Sequence, residues 1–139
     1  MDNDLNFSLQ ASELKNVRNG LLRLHKALLE HEKENYEAAH GKIKTTGEYF
    51  NLVVNDAWFE WLRKMSGLIV EIDEAFDAKQ EPLTIETVIL LAGQVHRMLF
   101  MDEESDFGKR YQAALQNSPD AIFEHIGISK NLKKFNNEI

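Results

Sequence analysis

The chain has 139 residues, which fits one ordinary domain and leaves too little sequence for two independent ones. Hydrophobic residues make up 43% and charged residues 28%, close to globular averages, which excludes a wholly disordered chain. The 16 Lys and Arg residues against 23 Asp and Glu give a net charge of −7, and this sign disfavours nucleic acid as a partner.

The absence of cysteine excludes disulfides, thiol catalysis and zinc–thiolate sites. Only two prolines and seven glycines occur, which argues against a turn-rich β-sandwich or barrel. The longest apolar run, residues 87–93, is far shorter than the roughly 20 residues that cross a bilayer. The acidic N-terminus has no apolar stretch of signal-peptide length. We therefore expect a soluble, cytoplasmic protein without a membrane partner.

The first third of the chain predicts one long helix. Residues 1–11 are polar and weakly patterned, so we expect a flexible N-terminal segment there and a single helical domain over residues 12–139. The helix spans residues 12–40 and ends before Gly41, a typical stop signal. Gly20 inside it allows a close crossing with another helix. The apolar stripe steps by three and four residues and consists of Leu14, Val17, Leu21, Leu24 and Leu28.

The middle third predicts a short connector and a second long helix. Thr45 and Glu48 match a capping box that opens a helical connector over residues 47–54. The pair Asn55-Asp56 is the next candidate N-cap, and residues 57–79 are apolar around most of a helical circumference. Such a helix is usually central in a bundle. Its main stripe contains Trp58, Leu62, Met65, Ile69, Ile72 and Phe76.

The last third predicts three more helices. Thr84 is a candidate N-cap for a helix over residues 85–101, and a charged loop follows at residues 102–105. Asp106 opens a short helix, and Ser118 before Pro119 starts the last one, which continues to about residue 135. The chain thus contains four main helices and two short connecting ones. Because the loops are short, we predict an all-α, up-down helical bundle.

Several short segments along the chain form a distinctive set. They are RLHKALL at residues 23–29, YE at 36–37, HG at 40–41, WFEWLR at 58–63, SGLI at 66–69, IDE at 72–74 and YQAALQ at 111–116 before SP at 118–119. In these segments the chain resembles a family of small, uncharacterised, all-helical bacterial proteins. The resemblance covers most of residues 17–120, and it implies the helical fold but no activity, substrate or site residue.

Metal and hydrolase motifs are incomplete. A di-iron bundle needs two Glu-x-x-His motifs, and this chain has one, Glu37 with His40. Two histidines at a four-residue spacing, a nucleophile elbow and a phosphate-binding glycine loop are absent from the sequence. We therefore predict no metal site, no catalytic residue and no cofactor.

One polar cluster stands out on the predicted helices. Arg18, His25, Glu32 and Tyr36 share a face of the first helix, because they follow one another at steps of seven, seven and four residues. Arg63 and Asp73 lie near one face of the helix over residues 57–79. If the two faces meet, acid, imidazole and guanidinium groups share a partly dry space. The candidate ligand or partner pocket consists of His25, Glu32, Tyr36, Arg63 and Asp73.

Structural explanations of the same residues stay open. Arg18 and Glu32 suit the rim of an interface, where only their stems are covered. His25 suits a hydrogen-bonded core position, and Arg63 and Asp73 suit ion pairs with other residues.

Wide apolar faces and incomplete catalytic motifs favour a non-enzymatic helical protein-interaction module. Its partner is another protein chain or a second copy of itself, as a homo-oligomer. The alternative is a small-molecule-binding or enzymatic bundle that uses the cluster around His25, Arg63 and Asp73.

Overall fold

The computed structural model describes the backbone of residues 2–138 and the side chains of residues 4–135. Within residues 2–138 there is no strand, which confirms the all-α class. The α-helices are α1 (Asp2–His40), α2 (Thr46–Asn55), α3 (Arg63–Asp77), α4 (Ile85–His96), α5 (Asp106–Asn117) and α6 (Pro119–Leu132). Three short segments of other helical types adjoin them: a 3₁₀ turn at Ala57–Leu62, a π-helical segment at Arg97–Met101 and a 3₁₀ turn at Lys133–Glu138.

Helix α1 occupies the middle of the bundle, where it contacts α3, α4 and α6. Ion pairs show that α6 and the 3₁₀ turn after it run antiparallel to α1, since Arg23 meets Glu124 on α6 and Glu13 meets Lys134 in the turn. Helix α3 and the 3₁₀ turn before it are antiparallel to α1 as well, because Arg18 meets Asp73 on α3 and Tyr36 meets Trp58 in the turn. The segment predicted at residues 57–79 forms the 3₁₀ turn and α3, and together these contact α1, α2, α4 and α5. Val70 on α3 is 52% exposed, which shows that the apolar circumference is not fully covered.

The segment at residues 57–79 also begins differently from the prediction. Asp56 caps it as expected and accepts a hydrogen bond from the Trp58 amide at 2.8 Å, but the first six residues form a 3₁₀ turn. Three residues per turn align Phe59 with Leu62, so both side chains are buried on the same side. The regular helix α3 starts only at Arg63.

Most predicted helix boundaries are confirmed. Gly41 follows α1 with a φ of 93°, a left-handed conformation that glycine adopts without a steric penalty. Thr45 Oγ1 accepts from the Glu48 amide at 3.0 Å, as the capping box requires. Thr84 and Ser118 cap α4 and α6 in the same way.

Helix α1 starts ten residues earlier than predicted. It begins at Asp2 instead of residue 12, although Leu5 and Leu9 are 63% and 59% exposed. Helical conformation and mobility are different properties, so the predicted flexibility of residues 1–11 stays a prediction.

The predicted close crossing at Gly20 is confirmed, and α6 is the helix that crosses there. A Cβ atom added to Gly20 would lie 2.8 Å from Ile128 Cγ1. Ile128 is buried, as are Leu21 and Leu24 on α1. The missing side chain thus lets the two helix backbones approach closely.

None of the helices within the described residues combines the length and the apolarity needed to cross a membrane.

Candidate binding groove

A groove of about 710 Å³ separates α3 from the C-terminal end of α4 and its π-helical continuation. Its floor is apolar and contains the buried side chains of Leu68 and Met98. Gly67 faces this space, and a Cβ atom at Gly67 would have no neighbour within 4 Å. The volume lies within the range of about 300–1,000 Å³ that ligand pockets commonly have.

The π-helical segment forms one wall of the groove. A π turn contains more residues per turn than an α turn, and such segments occur frequently at functional sites. Arg97 and Met101 face the groove from this segment, and Met101 is 65% exposed. On the other side of the segment, Phe100 packs against His125 with 4.5 Å between the ring centroids. The wide turn therefore divides its side chains between the groove and the interior.

One end of the groove is fixed by an ion pair. Lys64 Nζ lies 2.9 Å from Asp102 Oδ2 and 5.4 Å from the centroid of the Phe107 ring. Ser105 donates a second hydrogen bond to Asp102 at 2.8 Å. The hydrogen bonds from Lys64 and Ser105 lower the pKa of Asp102. Lys64 is therefore already paired and leaves the remaining cations of the groove to interact with a ligand.

Those remaining cations are Arg63 and Arg97. Arg63 donates one hydrogen bond of 3.3 Å to the Asp56 carbonyl, and its side chain is exposed. Among the residues with described side chains, Arg97 and Glu71 make no side-chain hydrogen bond or ion pair. With three basic and two acidic side chains, the lining is locally positive in a chain whose net charge is −7.

A smaller cavity of about 250 Å³ lies on the other side of Arg63, between α1, α2 and α3. His25 and Arg63 both line it, together with apolar residues that include Phe59 and Leu62. Burial lowers the pKa of His25, which favours a neutral imidazole. Two of the five predicted pocket residues thus share one cavity, and its use by a ligand stays a prediction.

Asp73 does not join this cavity. The carboxylate forms a two-pronged ion pair with Arg18, at 2.8 Å to Nε and 2.9 Å to Nη2. Ten residues of helix separate Asp73 from Arg63, which is about 15 Å along the axis. The predicted gathering of His25, Arg63 and Asp73 is therefore wrong, because an antiparallel register pairs Asp73 with the N-terminal part of α1.

Tyr36 lies nearer the C-terminal end of α1 than Arg18 and His25 do, and it forms an aromatic cluster with His40 and Trp58. Its ring stacks on His40 at 4.4 Å and meets Trp58 edge-on at 5.6 Å. Glu32 is half-buried, and its one described side-chain hydrogen bond is a long one of 3.5 Å from Asn35. The predicted faces of α1 and α3 do meet, but the polar groups are spread along the contact.

A buried tyrosine–histidine pair was not among the predicted site residues. The Tyr111 hydroxyl lies 2.7 Å from His125 Nδ1, and Tyr111 has no exposed surface. Burial raises the pKa of Tyr111 and lowers that of His125, so both side chains stay neutral near pH 7. With the imidazole proton on Nε2, the hydroxyl donates to Nδ1. The spacing of the two residues in the sequence gives no sign of their contact.

Apart from Arg63, the sequence pattern does not predict the residues of the groove. Its lining comes from α3 and from residues 94–102, and only the tertiary contact between these elements brings Arg63 and Arg97 to one opening. Among the described residues, no three or more His, Asp or Glu side chains lie close enough together to hold a metal ion.

No protein-family model, curated protein or solved structure matches this chain. The resemblance to a family of small all-helical bacterial proteins therefore stays a prediction.

Proposed function

We propose that this protein is a non-enzymatic, cytoplasmic binding module whose groove between α3 and the π-helical segment holds an acidic, amphipathic segment of a partner protein. The observation that carries this proposal is the combination of an apolar floor, Leu68 and Met98, with the cationic side chains of Arg63 and Arg97 at the rim. Arg97 has no side-chain partner among the residues with described side chains.

The residues that line the groove indicate which side chains the partner segment contains. Apolar side chains of the partner would enter the floor, where they lose contact with water. Carboxylates beside them would meet the two arginines, whose planar guanidinium groups suit paired hydrogen bonds to carboxylate oxygens. Met98 and Met101 are flexible and polarisable, which suits a surface that accepts more than one apolar anchor.

The alternative, a small-molecule or catalytic site around His25, has weaker support. His25 and Arg63 share a cavity, but the carboxylate of Asp73 is held by Arg18. A general acid–base pair needs its two groups within hydrogen-bond reach, directly or through one water.

The test is selection of peptides from a random library displayed on phage, with the full chain as bait. We expect the selected peptides to share aspartate or glutamate next to Leu, Met or Phe. Binding of a selected peptide should weaken on the order of tenfold in Arg97→Glu, because the substitution replaces attraction by repulsion. Gly67→Trp should abolish binding, because the indole would occupy the open space above the floor.

Two control variants make the same kinds of substitution outside the groove. Lys26→Glu reverses an exposed charge on α1, and Gly47→Trp adds an indole at another glycine whose Cβ position is open. Both variants should bind the peptide like the wild type. Selected peptides without acidic residues, or peptides that bind Gly67→Trp normally, would contradict the proposal.

A further inference from the structure

Helix α6 leaves an apolar face uncovered. Its inner side contains Ala121, Ile128 and Leu132, which are buried. On its outer side Phe123 is 73% exposed and Ile126 is 50% exposed. A surface helix normally directs its apolar side chains to the core alone, so this second apolar face indicates a contact with another surface.

Two opposite charges flank this outer face. Asp120, Phe123, Gly127 and Lys130 follow one another at steps of three and four residues, so they lie on one side of the helix. Both charged side chains are exposed, and in the described part of the chain neither forms an ion pair. The position of Gly127 is open, because a Cβ atom there would meet nothing within 4 Å.

The order of these residues is symmetric about position 125. Asp120 and Lys130 are each five residues from that position, and Phe123 and Gly127 are each two residues from it. His125 does not obstruct the outer face, since its ring turns inward to Tyr111. A face that is complementary to itself in this way fits the two-fold contact of a homodimer.

We propose that the outer face of α6 binds a second copy of this chain, with the two α6 helices antiparallel across a two-fold axis near residue 125. Each Asp120 then lies opposite the partner's Lys130, and each Phe123 ring packs onto the open surface at the partner's Gly127. Fourteen residues make α6 about 21 Å long, so the interface is small and the dimer weak.

The first experiment is sedimentation velocity of the full chain from low micromolar to submillimolar concentration. We expect a reversible monomer–dimer equilibrium that Phe123→Glu shifts to monomer. Phe50→Glu is the matched control, because Phe50 is 70% exposed on α2, and it should leave the equilibrium unchanged. A wild-type monomer at every concentration, or a dimer that Phe123→Glu does not dissociate, would overturn the proposal.

A charge swap tests the antiparallel register. Asp120→Lys and Lys130→Asp should each weaken the dimer on the order of tenfold, because each places like charges opposite one another at two symmetric positions. The double variant should restore the wild-type equilibrium, since it re-forms both pairs in the opposite sense. Circular dichroism monitors the folding of every variant. A double variant as weak as the two single variants would overturn the proposed register.

This contact and the groove are separate, because α6 contributes no residue to the groove lining. Gly67→Trp should therefore abolish peptide binding and leave the dimer intact. Loss of self-association in Gly67→Trp would contradict the placement of the dimer contact on α6.

Discussion

Two glycines in this bundle have opposite surroundings. Gly20 on α1 lies where α6 crosses, and its missing side chain is the reason the helices can touch. Gly67 on α3 faces empty space, because α4 and its π-helical continuation do not close onto α3 there. One residue type thus marks a closed contact in one place and an open groove in another, and the neighbouring helix determines which.

Substitutions in the closed core should destabilise the protein most. Leu24 has no exposed surface and Ile69 is 6% exposed, so Leu24→Ala and Ile69→Ala should each lower the free energy of unfolding by about 2–5 kcal/mol. Met101→Ala at the open groove should change it by less than about 0.5 kcal/mol. Urea unfolding measures all three, and unchanged midpoints for Leu24→Ala and Ile69→Ala would show that the core is wrongly assigned.

Alanine substitutions of the two glycines should change stability in opposite directions. Gly67→Ala should raise the free energy of unfolding by about 0.5–1 kcal/mol, because alanine favours helix and the added Cβ meets no neighbour. Gly20→Ala gains the same helix propensity but pushes against Ile128, so we expect a net loss of about 1 kcal/mol. Thermal unfolding compares the two variants directly. Effects of the same sign would mean that α1 and α6 are not in close contact.

The pH dependence of stability should be weaker than these effects of substitution. Burial lowers the pKa of both His25 and His125 below the ordinary value of 6.5. Below pH 6.5 the two imidazoles bind protons more readily in the unfolded chain than in the folded one, so acid favours unfolding. The stability that the neutral imidazoles contribute is therefore complete above pH 6.5, and it is lost as the pH falls through their folded-state pKa values. Because neither imidazole is fully buried, the loss should be modest.

Urea unfolding at a series of pH values measures this loss. His25→Gln and His125→Gln should each flatten the decline in stability below pH 6.5, and above pH 7 both variants should run parallel to the wild type. A decline that neither substitution alters would assign the pH dependence to other groups.

Much of the fold could be predicted from the sequence because its signals are local. The stop at Gly41 and the caps at Thr45, Thr84 and Ser118 depend on neighbours a few residues away. The 3₁₀ turn at Ala57–Leu62 was not predictable from spacing, because Phe59, Trp61 and Leu62 are apolar in a pattern that suits either helical type. In the folded chain all three side chains are buried.

The candidate sites depended on register, which sequence spacing does not determine. Spacing placed His25 and Asp73 on faces that do meet, but the antiparallel pairing gives Asp73 to Arg18 and leaves His25 in an apolar cavity. The groove was missed for a related reason, since Arg63 and Arg97 lie on different helices and neither lies on a predicted apolar stripe.

The sequence alone determined where the chain is helical and which side chains avoid water, because capping and apolar periodicity act within a few residues. The tertiary structure decided which helix lies in the middle, which cations remain unpaired and where the bundle stays open. Those properties arise from how whole helices pack against one another, and a shift of one helical turn, about 5.4 Å, gives every polar side chain a different neighbour.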